Sequence, residues 1–373
     1  MGNDLTFRDP ARARALCGAL ERVLADLGRS PVAVMHVCGS HEQAIARFGL
    51  RAVFPPALEV IMGPGCPVCV TDLPEVDEGV ALARQGVTIA TYGDMLRVPG
   101  TVQSLADAQT HGGDVAVVYS ISQAVDLARK TSREVVFFAT GFETTAVATA
   151  AEILRGLPAN FSILSAHKYI PPVMEIVAEM PETRVEGFLA AGHAATITGW
   201  GIFERFVERH RLPVVVAGFE PLDILAGLVQ MLEIIRDGTP RVANCFPRCV
   251  TREGNLRAQE QLWSVFRPIG GRWRGIAHVP NGNLRLKDEW ASVDARRRFK
   301  IDLASLWEWA PASEAQRCIC GDIMAGIASP TDCRLYGREC VPEKPVGACM
   351  VSTEGTCRIW HEYGGLVRLG GAS

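Results

Sequence analysis

Excess charge of either sign is missing: 38 Lys and Arg against 41 Asp and Glu leave a formal net charge of −3. That excludes a strongly basic nucleic-acid surface, and the one basic block that stands out is Arg296–Arg297–Arg298. Aromatic residues are few, at 7%, yet 48% of the chain is hydrophobic, which excludes disorder and leaves a globular protein. No apolar run reaches the roughly 20 residues that a bilayer span needs. The most apolar stretch, Leu222–Ile235, is interrupted by Asp223, Gln230 and Glu233. The first residues, with Asp4, Arg8, Asp9, Arg12 and Arg14, have no apolar secretory core, which predicts a cytoplasmic protein without a membrane partner. No Gly-Lys-Ser/Thr follows Gly141–Thr145, so there is no P-loop.

The 373 residues suit two or three domains. Short apolar runs recur at Val32–Val37, Leu58–Met62, Thr88–Tyr92, Val115–Tyr119, Val135–Ala139, Phe161–Ser165, Gly187–Ala190 and Pro213–Ala217. Amphipathic segments lie between them, among them Leu73–Gln85, Glu143–Leu154 and Pro221–Arg236. Runs of about five apolar residues alternating with helices predict an α/β protein whose parallel sheets are flanked by helices. The rhythm is lost near residue 250. The expected division is 1–120 and 121–250 as α/β domains and 251–373 as a loop-rich cluster domain. The first part of that last segment could equally complete the first sheet or pack over it. Gly141–Phe142–Glu143 and Gly218–Phe219–Glu220 each end a strand and open a helix, an echo that fits helix capping and a binding surface equally well.

Cysteine carries the chemistry. Twelve residues are too dilute for a disulfide-stapled scaffold, and without a secretory signal they are expected to be reduced and used for metal or redox chemistry. Cys38–Gly39–Ser40–His41–Glu42 follows a strand, with Ser40 as the expected N-cap. A thiol at a helix N-terminus is expected to have a depressed pKa, with His41 beside it as proton carrier. Gly63–Pro64–Gly65–Cys66–Pro67–Val68–Cys69 places two sulfurs close together in a stiff loop, the spacing of thiol–disulfide exchange and of bidentate metal binding. If both loops leave neighbouring strands, Cys38, Cys66 and Cys69 share one carboxyl edge and could hold an iron with open positions. Cys318, Cys320, Cys333, Cys340, Cys349 and Cys357 crowd a Gly- and Pro-rich tail, which calls for a metal to organise it. Paired zinc knuckles are missing, and a cubane cluster on four thiolates fits the irregular spacing better than structural zinc. Two thiols would then remain to form a disulfide beside the cluster. Cys17, Cys245 and Cys249 read as buried small hydrophobes, and His36, His111, His167, His193, His210, His278 and His361 as structural histidines.

These motifs, together with Thr91–Met95, Gly141–Thr145 and the tail from Cys318 to Cys357, resemble those of the HypD family of nickel–iron hydrogenase maturation proteins. The resemblance spans residues from about 30 to 360 in order. It implies a scaffold with redox-active thiols, rather than a conventional turnover enzyme, on which iron acquires two cyanides and one carbon monoxide. A HypC-type small chaperone would share the iron and a HypE-type donor would deliver cyanide. By the same resemblance, Cys318, Cys333, Cys340 and Cys357 are the ligands of a 4Fe–4S cluster, and Cys320 and Cys349 a redox pair. Cys38 and Cys69 hold the assembled iron, Cys66 is the exchange partner of Cys69, and His41 lies beside the site. Glu354, Asp94 and Glu143 are accessory candidates, and Val147, the second residue after Gly141–Thr145, stands where the family pattern has Pro. The competing expectation is an iron–sulfur disulfide reductase similar to ferredoxin–thioredoxin reductase.

Overall fold

The computed structural model describes residues 8–307 and 318–365. Asp4 and parts of the expected cluster domain lie outside these residues. In chain order the strands are β1 (Val32–His36), β2 (Leu58–Met62), β3 (Thr88–Thr91), β4 (Val115–Val117), β5 (Val135–Gly141), β6 (Phe161–His167), β7 (Gly187–Ala191), β8 (Val214–Ala217), β9 (Val242–Asn244), β10 (Phe266–Trp273) and β11 (Ala277–Leu286). Two parallel sheets result, one ordered β2-β1-β7-β8-β9 and the other β4-β3-β5-β6. Every residue of β1, β5, β6 and β7 is buried, as continuous apolar runs require when helices cover both faces. The protein is α/β.

The division at residue 120 does not follow the sheets. The first sheet takes β1 and β2 from one side of that boundary and β7, β8 and β9 from the other. The second takes β3 and β4 from one side and β5 and β6 from the other. Strand-helix alternation is the same whether the next strand joins the current sheet or starts another, so periodicity holds no record of the excursion. After β9 the chain turns to the second sheet rather than completing the first. Leu262, Val265, Phe266, Leu284 and Leu286 pack into the core around β5 and β6, and Ser165 Oγ donates to the Leu284 carbonyl.

Among the described residues the cysteine-rich tail has three short α-helices, Cys320–Met324, Ala348–Val351 and Thr356–Tyr363, and a 3-10 turn, Pro330–Asp332. The helix Ala348–Val351 packs on Pro67–Val70, and Thr356–Tyr363 packs on Gly39–Arg47. The tail is therefore laid against both loops that leave β1 and β2. Among the described residues, no helix is long and apolar enough to cross a membrane. The three leftover cysteines are not all buried: Cys17 and Cys245 are half-buried and Cys249 is exposed, because the turn after β9 runs over the surface.

Candidate thiol and metal centre

The register of the first sheet builds the front of the site. Neighbouring β1 and β2 release Cys38 and the Gly63–Cys69 loop at the same edge, and β7 releases His193 beside them. Gly65 is required there, because a Cβ would stand 2.1 Å from the Cys38 nitrogen. Cys38, rather than Ser40, is the N-cap of the helix Gly39–Arg47. Its thiol is pushed up to about 12, first by burial and next by the Glu354 carboxylate, against the pull of the Ser40 and His41 backbone N–H groups. The expected depression is thus reversed: helix-end stabilisation is outweighed by desolvation. His193 Nε2 lies 3.4 Å from Cys38 Sγ. Burial holds this imidazole below its ordinary value while Glu354 and Glu143 pull upward. Both shifts favour the neutral pair, a protonated sulfur beside an unprotonated imidazole whose Nε2 is within reach of the thiol proton.

His41 does not do this. Its Nε2 bonds to the Gly218 carbonyl at 2.9 Å, and burial lowers its pKa to about 3. Phe219 lies between the two imidazoles, with ring centroids 4.9 Å from His41 and 5.2 Å from His193. Glu143 reaches the site from the second sheet: Ile170 N donates to its Oε1 at 2.9 Å, Oε2 is buried without a partner among the described residues, and burial raises it to about 7. Glu354 arrives from the tail, takes a hydrogen bond from Ser40 Oγ at 3.3 Å and is raised by burial. Asp94 is a clamp, accepting from Ser352 Oγ at 3.0 Å and from Thr353 N at 3.1 Å. The echo resolves into two roles, since Glu220 caps its helix and pairs with Arg8 on the surface.

Cys66 and Cys69 form a disulfide, and Cys66 Sγ caps the helix Pro67–Val70 by accepting from Cys69 N at 3.1 Å. In the tail, the sulfurs of Cys320, Cys349 and Cys357 lie within 4.8 Å of one another, and Cys318 Sγ is 3.0 Å from Cys320 Sγ. Hydrogen bonds from Cys320 and Cys357 hold Cys349 well below the ordinary thiol range, while Cys357 is raised by its own hydrogen bonds with Cys320 and Cys349. Gly347 makes the crowding possible, because a Cβ there would sit 2.5 Å from the sulfurs of both Cys318 and Cys320.

Residues 11–364 match the family described as "HypD: Hydrogenase formation hypA family". The hydrogenase maturation factor HypD of Rhizobium leguminosarum bv. viciae is 40% identical over 372 residues, covering 96% of this chain and 94% of that protein. HypD of Azotobacter vinelandii is 39% identical over 372 residues, covering 96% of each chain. The chain belongs to the HypD family. HypD of Rhodobacter capsulatus, 38% identical over 369 residues, covers 96% of this chain and 97% of its own. This HypD-family chain is therefore a hydrogenase maturation factor.

Within this HypD-family chain, the sulfurs suit a soft metal group. Buried thiols gathered within reach of one another are the donor set that a thiolate-ligated cluster uses. Of the four ligands that the resemblance implies, the structure places Cys357 inside the tight group and Cys318 beside it. Cys340 accepts from Val346 N at 3.3 Å next to that loop, and half-buried Cys333 lies outside the tight group. The expected redox pair, Cys320 and Cys349, is inside it. Sequence reasoning missed His193 as a site residue. The signal was Gly192–His193 directly after an apolar strand, the position that Cys38 holds after β1.

Proposed function

We propose that this chain is a cytoplasmic scaffold on which the Fe(CN)2CO group of nickel–iron hydrogenases is assembled. A HypC-type small chaperone shares the iron and a HypE-type donor delivers cyanide. The observation that carries the reading is the pairing of Cys38 with His193 beside the Cys66–Cys69 loop. Iron is the substrate here, and Cys38 and Cys69 are its proposed ligands. Iron binding to the Cys38 sulfur displaces its proton, which His193 is placed to accept, and the resulting electron-rich thiolate favours binding of cyanide and carbon monoxide. Cys69 is tied up in its disulfide, and opening that bond takes two electrons and two protons. The helix carrying Cys349 packs on the helix carrying Cys69, which suits thiol–disulfide exchange: the Cys320/Cys349 dithiol becomes a disulfide as Cys66/Cys69 becomes a dithiol. Cys318, Cys333, Cys340 and Cys357 are the proposed holders of a 4Fe–4S cluster, which supplies electrons one at a time when bound. Glu354, Glu143 and Asp94 set the charge and the loop position around Cys38.

Anaerobic purification with metal analysis and infrared spectroscopy tests this. C≡N and C≡O stretches are expected in the wild type. In Cys38→Ala and Cys69→Ala they are lost while cluster iron is retained. Loss of the cluster in those variants would show that the two stations are not separate. The disulfide itself favours a second reading, an iron–sulfur disulfide reductase acting on a protein substrate. That reading predicts catalytic disulfide turnover and no iron outside the cluster.

A further inference from the structure

The two thiol stations meet at the turn between β10 and β11. Arg274 N donates to the carbonyl of Val70, the residue after Cys69, at 3.1 Å. On the other side Gly275 lies backbone to backbone against Gly321, the residue after Cys320: a Cβ on Gly321 would come within 1.9 Å of the Gly275 oxygen. Only glycine at both positions allows this approach, and Gly275 has φ 72°, in the left-handed region. The turn is thus pinned between the strand-end disulfide and the first tail cysteines. Its one charged side chain is Arg274. The guanidinium Nη1 is buried and has no hydrogen-bond partner among the described residues. Burying a cation is costly unless something of opposite charge faces it. The groups within electrostatic reach that favour this cation are Cys320 and Cys318, followed by Asp72 and Asp77. Asp77 is already engaged by Thr101 N and Trp307 Nε1.

We propose that Arg274 is a positioning residue whose guanidinium is the fixed counter-charge of the tail thiolates, held at their junction with the Cys66–Cys69 loop. A thiolate-ligated iron–sulfur cluster carries net negative charge, and a nearby cation makes its reduction easier. The inference rests on the cluster reading of the tail given above. It assigns a role to a residue outside every cysteine motif.

The test uses the full-length chain, reconstituted anaerobically with iron and sulfide, and measures iron per chain, circular dichroism and the midpoint potential in a mediated titration with dithionite. Arg274→Gln is expected to fold and load iron, with a midpoint more negative than that of the wild type. Arg274→Lys keeps the charge and is expected to return close to the wild-type potential. Asp72→Asn keeps a good helix cap and removes an opposing negative charge, so its midpoint is expected to move positive. A wild-type potential in a loaded Arg274→Gln protein overturns the proposal. So does loss of cluster iron in both the Gln and Lys variants with intact circular dichroism, because the role would then be one of shape. If the wild type itself takes up no cluster iron, it is the parent reading of the tail that falls.

Discussion

Glu143 opens its helix with 1% of its surface exposed, and burial raises its carboxyl to about 7 from an ordinary value of 4.5. Between those two values the folded protein keeps the proton that the unfolded chain has released. Stability therefore falls as pH rises through that window and stays lower above pH 7. The shift corresponds to about 3 kcal/mol. Glu143→Gln removes the cost, so its stability relative to the wild type is expected to rise between pH 5 and pH 8. Urea unfolding of both proteins across that range measures it, and parallel profiles would refute the burial argument. The same residue explains why the proposed Cys38–His193 pair answers to both sheets. Glu143 leaves β5 in the second sheet, whereas His193 follows β7 in the first.

The helix Thr356–Tyr363 is docked by one buried carboxylate. Glu42 takes hydrogen bonds from Trp360 Nε1 at 2.7 Å and Arg51 Nη2 at 2.8 Å, and His36 Nε2 lies 2.9 Å from it. Burial works against its ionised form, but Arg51 and His36 win and hold its pKa well below the carboxylate range. Trp360→Phe keeps the apolar bulk and deletes one bond to a charged group, a loss of about 1.5–3 kcal/mol. Hydrogen exchange is expected to quicken over 356–363, the helix that also carries Cys357. Unchanged exchange there would mean that apolar packing alone holds the helix. Glu42 was visible in the sequence next to His41, but its partners are 6, 9 and 318 residues away. No spacing rule links them.

At the scale of the molecule, the tail lies on elements it does not belong to. Glu354 reaches Ser40, and Ser352 and Thr353 reach Asp94. A metal group that binds only the folded arrangement adds its binding free energy to stability. The reconstituted protein is therefore expected to melt several degrees above the metal-free form, and an iron chelator under reducing conditions should reverse the gain. Equal melting temperatures would show that the tail folds on contacts alone.

Local chemistry could be read from the chain directly. The strand Leu58–Met62, the helix within Leu73–Gln85 and the α/β class follow from short apolar runs alternating with amphipathic segments. The thiol motifs were also legible, because Cys-x-x-Cys in a proline-stiffened loop forces two sulfurs together whatever surrounds them. Tertiary structure decided which strands became neighbours, and so that His193, rather than His41, faces Cys38. It also decided the sign of the Cys38 shift, since a helix N-terminus is a local feature whereas desolvation depends on everything packed around it. Periodicity records how each segment is buried, not against which partner, and the chemistry of this site lies in the partners.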